Sequence, residues 1–368
     1  MRNRISFIIV TSLIFLLTGC FGAKEIEGET YVTAMGMDYE EGNFKVYIQG
    51  LSFGNIAKQE VAAVEQQPIL IGEAKGETFT AALGVLEQMT DMPINYGHIQ
   101  TIILSKSVMK EKMEDVMGLL KHSPLLRYNF YLFGTDENLK SLMQMESFFN
   151  FPQLYTVIHR SDKIIQYNYV LPNMIYNRFI SQYFRPVGTI FIPSLTIDKN
   201  HFSENKEKPT SVINGEYVFS RQQFRGWLSK DELSGLKWFK KGIQGVTLRV
   251  GTENVSVRVK NPKTKIMVLK GKTPSYKVVV KGDAVLTQER KKLKLKEVEN
   301  EINKKIKKDI LHTIKKGQLL ETDVLNISEK SYKYYLNHWN IDTIKRFNED
   351  SVKQIQVMIR VDPGNTKN

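Results

Sequence analysis

The sequence predicts a mixed α/β chain, part α/β and part α+β, in two principal modules, and three observations carry that prediction. Short strand-like runs alternate with helical periodicity from residue 30 to residue 133, the pattern of packed sheet and helix layers. After residue 245 strand-like runs follow one another and then give way to one long helical stripe, which predicts an antiparallel sheet covered by a helix. The composition, 42% hydrophobic and 25% charged over 368 residues, suits folded modules with substantial cores.

The chain opens with Arg2 and Arg4 and then an apolar run, residues 5–17, interrupted only by Ser6, Thr11 and Ser12. That run is too short to cross a bilayer, which takes about 20 apolar residues. Basic start, apolar core and small residues together predict an export signal at 1–19. Leu17-Thr18-Gly19-Cys20 resembles the lipobox of bacterial lipoproteins: a thiol takes a diacylglyceryl group, and small residues before it admit the signal peptidase. Cys20 is the only cysteine in the sequence, so the fold depends on no disulfide or thiolate metal site. The alternative is an ordinary secretory signal with a chance cysteine.

From residue 30 each element has a local reason. Residues 30–38 and 43–52 read as two strands joined by the turn Tyr39-Glu40-Glu41-Gly42, with Lys45, Tyr47 and Gln49 alternating against Val46, Ile48 and Gly50. Residues 54–67 are polar and small, a loop; 69–71 read as a strand, 78–90 as a helix and 99–104 as a strand. Met109, Met113, Val116, Met117 and Leu120 at helical spacing mark a helix over 108–121, followed by a strand over 129–133. Residues 136–182 read as mostly helical and aromatic, 186–197 as a strand, and the polar 201–210, ending beside Pro209, as the linker between modules.

The second module opens with a strand over 211–220, a tight stretch at Gly226-Trp227-Leu228, and a helix predicted from Ser229 with Glu232 three residues on, a capping-box spacing. Strands are predicted over 246–250, 255–260, 266–269 and 276–287. Val298, Ile302, Ile306, Ile310 and Ile314 recur every four residues and predict a helix over 289–316. Its lysines fit two readings, a helix lying on an anionic membrane or one packed on the sheet with its lysines in water. Helices over 323–336 and 340–348 and a strand over 352–361 close the chain. The predicted division is 1–19 signal, 20–200 N-terminal module, 201–210 linker and 211–368 C-terminal module.

Formal net charge is +13, of which Arg2 and Arg4 supply two. An export signal points away from nucleic acid, leaving lipid headgroups, cell-wall polymers, an acidic partner, or a solvated surface with no dedicated partner. No residue pattern specifies catalysis. Gly50-Leu51-Ser52-Phe53-Gly54 matches a nucleophile-elbow string, but no apolar helix follows to expose Ser52. His98, His122, His159, His201, His312 and His338 are scattered without metal-ligand spacing, and no glycine loop suits a nucleotide phosphate. Asp38, Glu40 and Glu41 read as turn carboxylates, and Trp227, Trp238 and Trp339 as core anchors rather than ligand platforms.

The first module carries Lys24-Glu25-Ile26, Val32-Thr33-Ala34-Met35-Gly36-Met37-Asp38 and Gly97-His98-Ile99-Gln100 in order after Cys20. The second carries Gly215-Glu216-Tyr217-Val218-Phe219, Gly226-Trp227-Leu228, Glu232, Gly235 and Trp238, then Lys316-Gly317-Gln318, Asp323 and Trp339. In these motifs and their order the chain resembles the Ger(x)C family of spore germination lipoproteins. Members usually have Trp-Asp after the lipid cysteine, where this chain has Phe21-Gly22. The resemblance implies a non-catalytic subunit of a nutrient germinant receptor, without cofactor or metal, working with integral membrane A and B subunits. It further implies N-palmitoyl and S-diacylglycerol groups on Cys20, processing at Leu17, Thr18 and Gly19, and a place on the outer face of the spore inner membrane. Two other readings stay open: a solute-binding lipoprotein serving a transporter, which needs a deep cleft between lobes, and a cell-wall hydrolase.

Overall fold

Two sheets organise the chain, and the computed structural model describes residues 28–51, 69–123, 126–159, 174–251, 255–288 and 294–362 of it. In the first sheet, β1 (Thr30–Glu40) and β2 (Asn43–Leu51) form the predicted hairpin. Its turn places Glu41 and Gly42 at positive φ, where glycine carries no Cβ penalty. β3 (Leu70–Gly76) pairs with β2, and α1 (Phe79–Met89) follows, its first turn capped by the Thr78 hydroxyl accepting from Ala81 N. The short β4 (Ile94–Asn95) lies beside the start of β1, and β5 (Thr101–Ser105) runs parallel to β1.

Ser105 caps α2 (Lys106–Glu111), which leads into α3 (Met113–His122) and β6 (Tyr131–Thr135). The predicted helical stretch 136–182 is, among the described residues, α4 (Leu139–Met143), two single 3-10 turns and α5 (Tyr176–Tyr183). β7 (Thr189–Asp198) is parallel to β6. The segment predicted as a linker carries a small hairpin, β8 (Ser203–Glu204) with β9 (Lys206–Glu207), and delivers β10 (Thr210–Ser220) antiparallel onto β7 along its length. β11 (Gln223–Ser229) pairs with β10 at the edge. The strand order is therefore β11-β10-β7-β6-β5-β1-β2-β3, with β4 beside β1. Four parallel strands lie at the centre, flanked by antiparallel meanders. The chain thus changes sheet in residues 230–244, after the predicted strand 211–220 and the stretch around Gly226-Trp227-Leu228, which is not predicted as a strand, have joined the first sheet as β10 and β11.

Apolar side chains cover both faces of that sheet. One face packs Val32, Met35, Ile102 and Leu132 against Phe79, Met109, Met117 and Phe179 of the helices. The other packs Ala34, Ile103, Phe133 and Val218 against α4 and against Leu233 and Val324 from beyond β11.

The second sheet has the order β12 (Gly245–Val250), β13 (Val255–Leu269), β14 (Ser275–Gln288) and β15 (Val352–Asp362). The two runs predicted at 255–260 and 266–269 are one strand, bent by a register shift between Lys260 and Lys263. The sheet is antiparallel except for β15, which lies parallel to β14 because α6 (Leu295–Leu319) carries the chain back across. Val298, Ile302, Ile306, Ile310 and Ile314 of α6 are buried against Val257, Val278 and Ile355 of the sheet. The stripe is thus consumed by the core, and the lysines remain in water. The closing helices are shorter than predicted, α7 (Glu329–Tyr334) and α8 (Ile341–Ile344).

No α-helix follows Ser229. The capping-box bonds form, with Ser229 N donating to Glu232 Oε2 at 2.9 Å and Glu232 N donating to Ser229 Oγ at 3.3 Å, but residues 230–235 continue as turns into a single 3-10 turn, Leu236–Trp238. Tertiary contact with α6 overrides the local signal at Gly235, as described next.

Candidate functional site

Cys20, Leu17, Thr18 and Gly19 lie outside the described residues, as does Ser52. The place where the predicted anchor meets the fold is defined. Thr30 N donates to Pro93 O at 2.9 Å, and Asn95 Nδ2 donates to Glu29 Oε2 at 2.6 Å, so the chain is fixed from residue 29 onward beside β4. Residues 21–29 reach about 30 Å when fully extended.

The other residues weighed from sequence are dispersed. The Asp38 carboxylate accepts from Ser107 Oγ and from Tyr39 N, both at 2.8 Å, and Glu40 lies 3.8 Å from Lys75. Neither faces a second carboxylate across a cleft. His98 is exposed and edge-on to Tyr31, His201 is paired with Asp198, and His122, His312 and His338 are exposed. No three metal-binding side chains converge among the described residues. Trp238 is buried, and Trp339 is buried with Nε1 donating to Gly271 O at 3.1 Å; Trp227 is partly exposed. A groove of about 890 Å³ opens beside the first sheet, where Met113 and Met117 of α3 face Phe224 and Arg225 of β11.

His159 is built into a buried polar network. It is buried, and its Nε2 is 2.7 Å from Gln49 Oε1. Gln49 Nε2 donates to Met143 O at 2.6 Å, so Oε1 faces the histidine and Nε2 is the donor. Burial holds the imidazole down at about 3, so it is neutral at physiological pH. The Thr101 hydroxyl bonds Ile158 O, tying the same segment to β5.

What the structure does bring together are the motif residues of the second half, at the seam between the two sheets. Gly235 lies directly on α6: a Cβ there would come within 2.8 Å of Asp309 O and 2.9 Å of Ile310 Cα. Gly235 N donates to Thr313 Oγ1 at 2.8 Å, Thr313 Oγ1 donates to Glu232 O at 2.7 Å, and Glu232 pairs with Lys316 at 2.8 Å. Gly317 lets the chain turn back at the end of α6, since a Cβ would meet Thr322 O at 2.8 Å. Asp323 Oδ2 accepts from Ser328 N at 2.6 Å and fixes the next turn.

That turn docks on β7. Thr189 N donates to Asn326 Oδ1 at 2.6 Å, Asn326 Nδ2 returns to Thr189 O at 2.9 Å, and the Thr189 hydroxyl donates to Asp323 O at 2.8 Å. Arg185 and Glu329 add an ion pair at 2.9 Å. Glu216 of β10 is buried, with neither carboxylate oxygen hydrogen-bonded among the described residues. Burial holds it well above the usual carboxylate range, against a weaker pull from Lys240. Sequence reading missed this seam because the bonds that cross it join residues more than 70 positions apart.

Comparison with known proteins matches two domain models in order along the chain. The model of the spore germination protein N-terminal domain matches residues 22–197, and that of the spore germination B3/GerAC-like C-terminal domain matches residues 214–363. Spore germination protein B3 of Bacillus subtilis (strain 168) is 23% identical over 366 residues, 92% of each chain. Spore germination protein KC of the same organism is 21% identical over 371 residues, 92% of this chain and 89% of its own. The crystal structure of the GerBC protein superposes with a TM-score of 0.55 at 17% identity, covering 91% of this chain and 98% of that one, a likeness of fold. With two domain models matched in order across most of its length, the chain belongs to the Ger(x)C family of spore germination proteins.

Proposed function

We propose that this chain is the lipid-anchored, non-catalytic subunit of a nutrient germinant receptor, acting with integral membrane A and B subunits on the outer face of the spore inner membrane. One observation carries the reading: both germination domains follow, in order, a leader that ends in Leu17-Thr18-Gly19-Cys20. No helix among the described residues is long and apolar enough to cross a membrane. On this reading attachment rests on Cys20. A diacylglyceryl group plus an N-acyl chain give effectively permanent anchoring, at roughly 0.8 kcal/mol per buried methylene. Tethering within about 30 Å of the bilayer raises the local concentration beside the membrane subunits, so modest contacts suffice for assembly. The polar ties at Thr189, Asn326, Arg185 and Glu329 join the modules into one body that can transmit a displacement.

The test is purification of the tagged chain from spore membranes with intact-mass measurement. The expected result is a mature chain beginning at Cys20, heavier by its acyl groups, with two integral membrane proteins copurifying. A chain with an unmodified cysteine, or one recovered alone under mild detergent, contradicts the proposal.

A further inference from the structure

The second sheet has one face covered by α6 and one that α6 leaves open, and the open face is cationic. The register fixes which side chains share it. Tyr276, Val278 and Val280 of β14 point into the core, so Lys277, Val279 and Lys281 point away. Opposite them on β13 lie Met267, Lys265 and Lys263 in that order, and Arg258 and Lys260 continue the row beyond the bend. Among the described residues, Asp283, which faces Lys260, and Asp362 at the end of β15 are the acids on this face.

Two features separate this array from an ordinary solvated surface. Lys263 and Lys281 are direct cross-strand partners, a like-charge juxtaposition that destabilises a sheet. Among the described residues, Lys260, Lys263, Lys265, Lys277 and Lys281 have no carboxylate within ion-pair distance. Around α6, Lys237, Lys305 and Lys316 are each paired, while Lys296, Lys307 and Lys308 form no ion pair among the described residues. Lys277 and Lys281 protect no edge, since β14 lies between β13 and β15, whereas residues 263–269 of β13 run beyond the β12 pairing. The same face exposes Met267 (41%), Leu269 (37%) and Met358 (37%).

We infer that this open face is a docking surface for anionic phospholipid headgroups. Charge complementarity selects an anionic occupant, which relieves the Lys263–Lys281 repulsion. The array is spread over two broad strands and built mostly of lysine, a solvated point charge on a flexible stem, rather than of arginine forks suited to one bidentate partner. Interspersed methionines and a leucine supply apolar tips that enter a headgroup layer, while the lysine stems lie over Val279. An acyl anchor combined with a polybasic patch is a stable two-signal arrangement, and the inference draws on the anchored reading only for bringing this face to the membrane.

The test omits the anchor, so it stands or fails separately from it. A chain beginning at residue 21 retains every described element and is floated with vesicles of phosphatidylglycerol and phosphatidylcholine, or of phosphatidylcholine alone. Salt is held near about 0.1 M, where screening acts over about 10 Å and separate faces are resolved. One variant carries Lys263→Glu, Lys265→Glu, Lys277→Glu and Lys281→Glu; a second neutralises the same four with Gln. A third places the same charge change on α6, at Lys296, Lys304, Lys307 and Lys308. The expected result is binding to the anionic vesicles only, weakened at least about tenfold by both sheet variants and by less than about threefold by the helix variant. Thermal unfolding of each variant confirms that it is folded. Equal losses from sheet and helix variants reduce the effect to net charge and overturn the inference. Absent binding, or equal binding to neutral vesicles, also overturns it and leaves an acidic protein as the candidate occupant.

Discussion

Gly235 N donates to the Thr313 hydroxyl at 2.8 Å, and the same hydroxyl donates to Glu232 O at 2.7 Å, so one side chain of α6 satisfies both sides of the turn that leaves the first sheet. Thr313→Val keeps the volume and removes both bonds. Two backbone groups are then left without partners at a buried seam, and the expected loss is about 2–6 kcal/mol of unfolding free energy, at about 1–3 kcal/mol for each group. Urea denaturation checks it; Thr313→Ser, which retains the hydroxyl, is expected to lose less.

Gly235→Ala tests the closeness of the same contact. The new methyl meets backbone, at 2.8 Å from Asp309 O, rather than a side chain that can swing away. A destabilisation of about 1–3 kcal/mol is expected from overpacking. Gly242→Ala is the contrast: its Cβ meets nothing within 4 Å, and its positive φ of 78° is the source of any loss there.

His159 predicts acid sensitivity. Its folded-state value of about 3 lies below the unfolded value near 6.5, so the unfolded chain takes up the proton first as pH falls. Stability attributable to this group is unchanged above about pH 6.5 and declines below it by up to about 1.4 kcal/mol per pH unit, until the folded state also protonates near 3. His159→Gln is expected to flatten the difference in urea midpoint between pH 7 and pH 5. Identical pH profiles for both proteins contradict the neutral, buried assignment.

Glu216 has the opposite sign. Burial raises its folded value above the unfolded one, so its contribution is fully present below about pH 4.5 and is lost as pH rises. Glu216→Leu is expected to stabilise the chain at pH 8 by about 1–3 kcal/mol, and by less at pH 5. Calorimetry at the two pH values checks both the gain and its direction.

The legible parts of the fold were those with local causes. The hairpin of β1 and β2 is readable because alternation and the Glu41-Gly42 turn are sequence-local, and α6 because Val298 to Ile314 repeat at helical spacing. The polar residues 201–210 have the composition of a linker whether they separate modules or turn β7 back into β10, and only strand pairing distinguishes the two. Ser229 and Glu232 make their capping bonds, but the helix they signal is displaced by the long-range contact of Gly235 with α6. The seam and the cationic sheet face were illegible for the same reason: Thr189 with Asn326, and Lys263 with Lys281, meet only through tertiary structure. The leader at Leu17 to Cys20 is legible as chemistry alone.

The most direct measurement of the central claim is nutrient-triggered germination of spores carrying Cys20→Ala, beside spores lacking the gene, with protein levels matched and a non-nutrient trigger as control. The account predicts that both strains lose response to the same nutrients and keep response to the non-nutrient trigger. Normal nutrient germination in the Cys20→Ala spores, with loss in those lacking the gene, contradicts the requirement for lipid attachment; normal germination in both contradicts the receptor role itself.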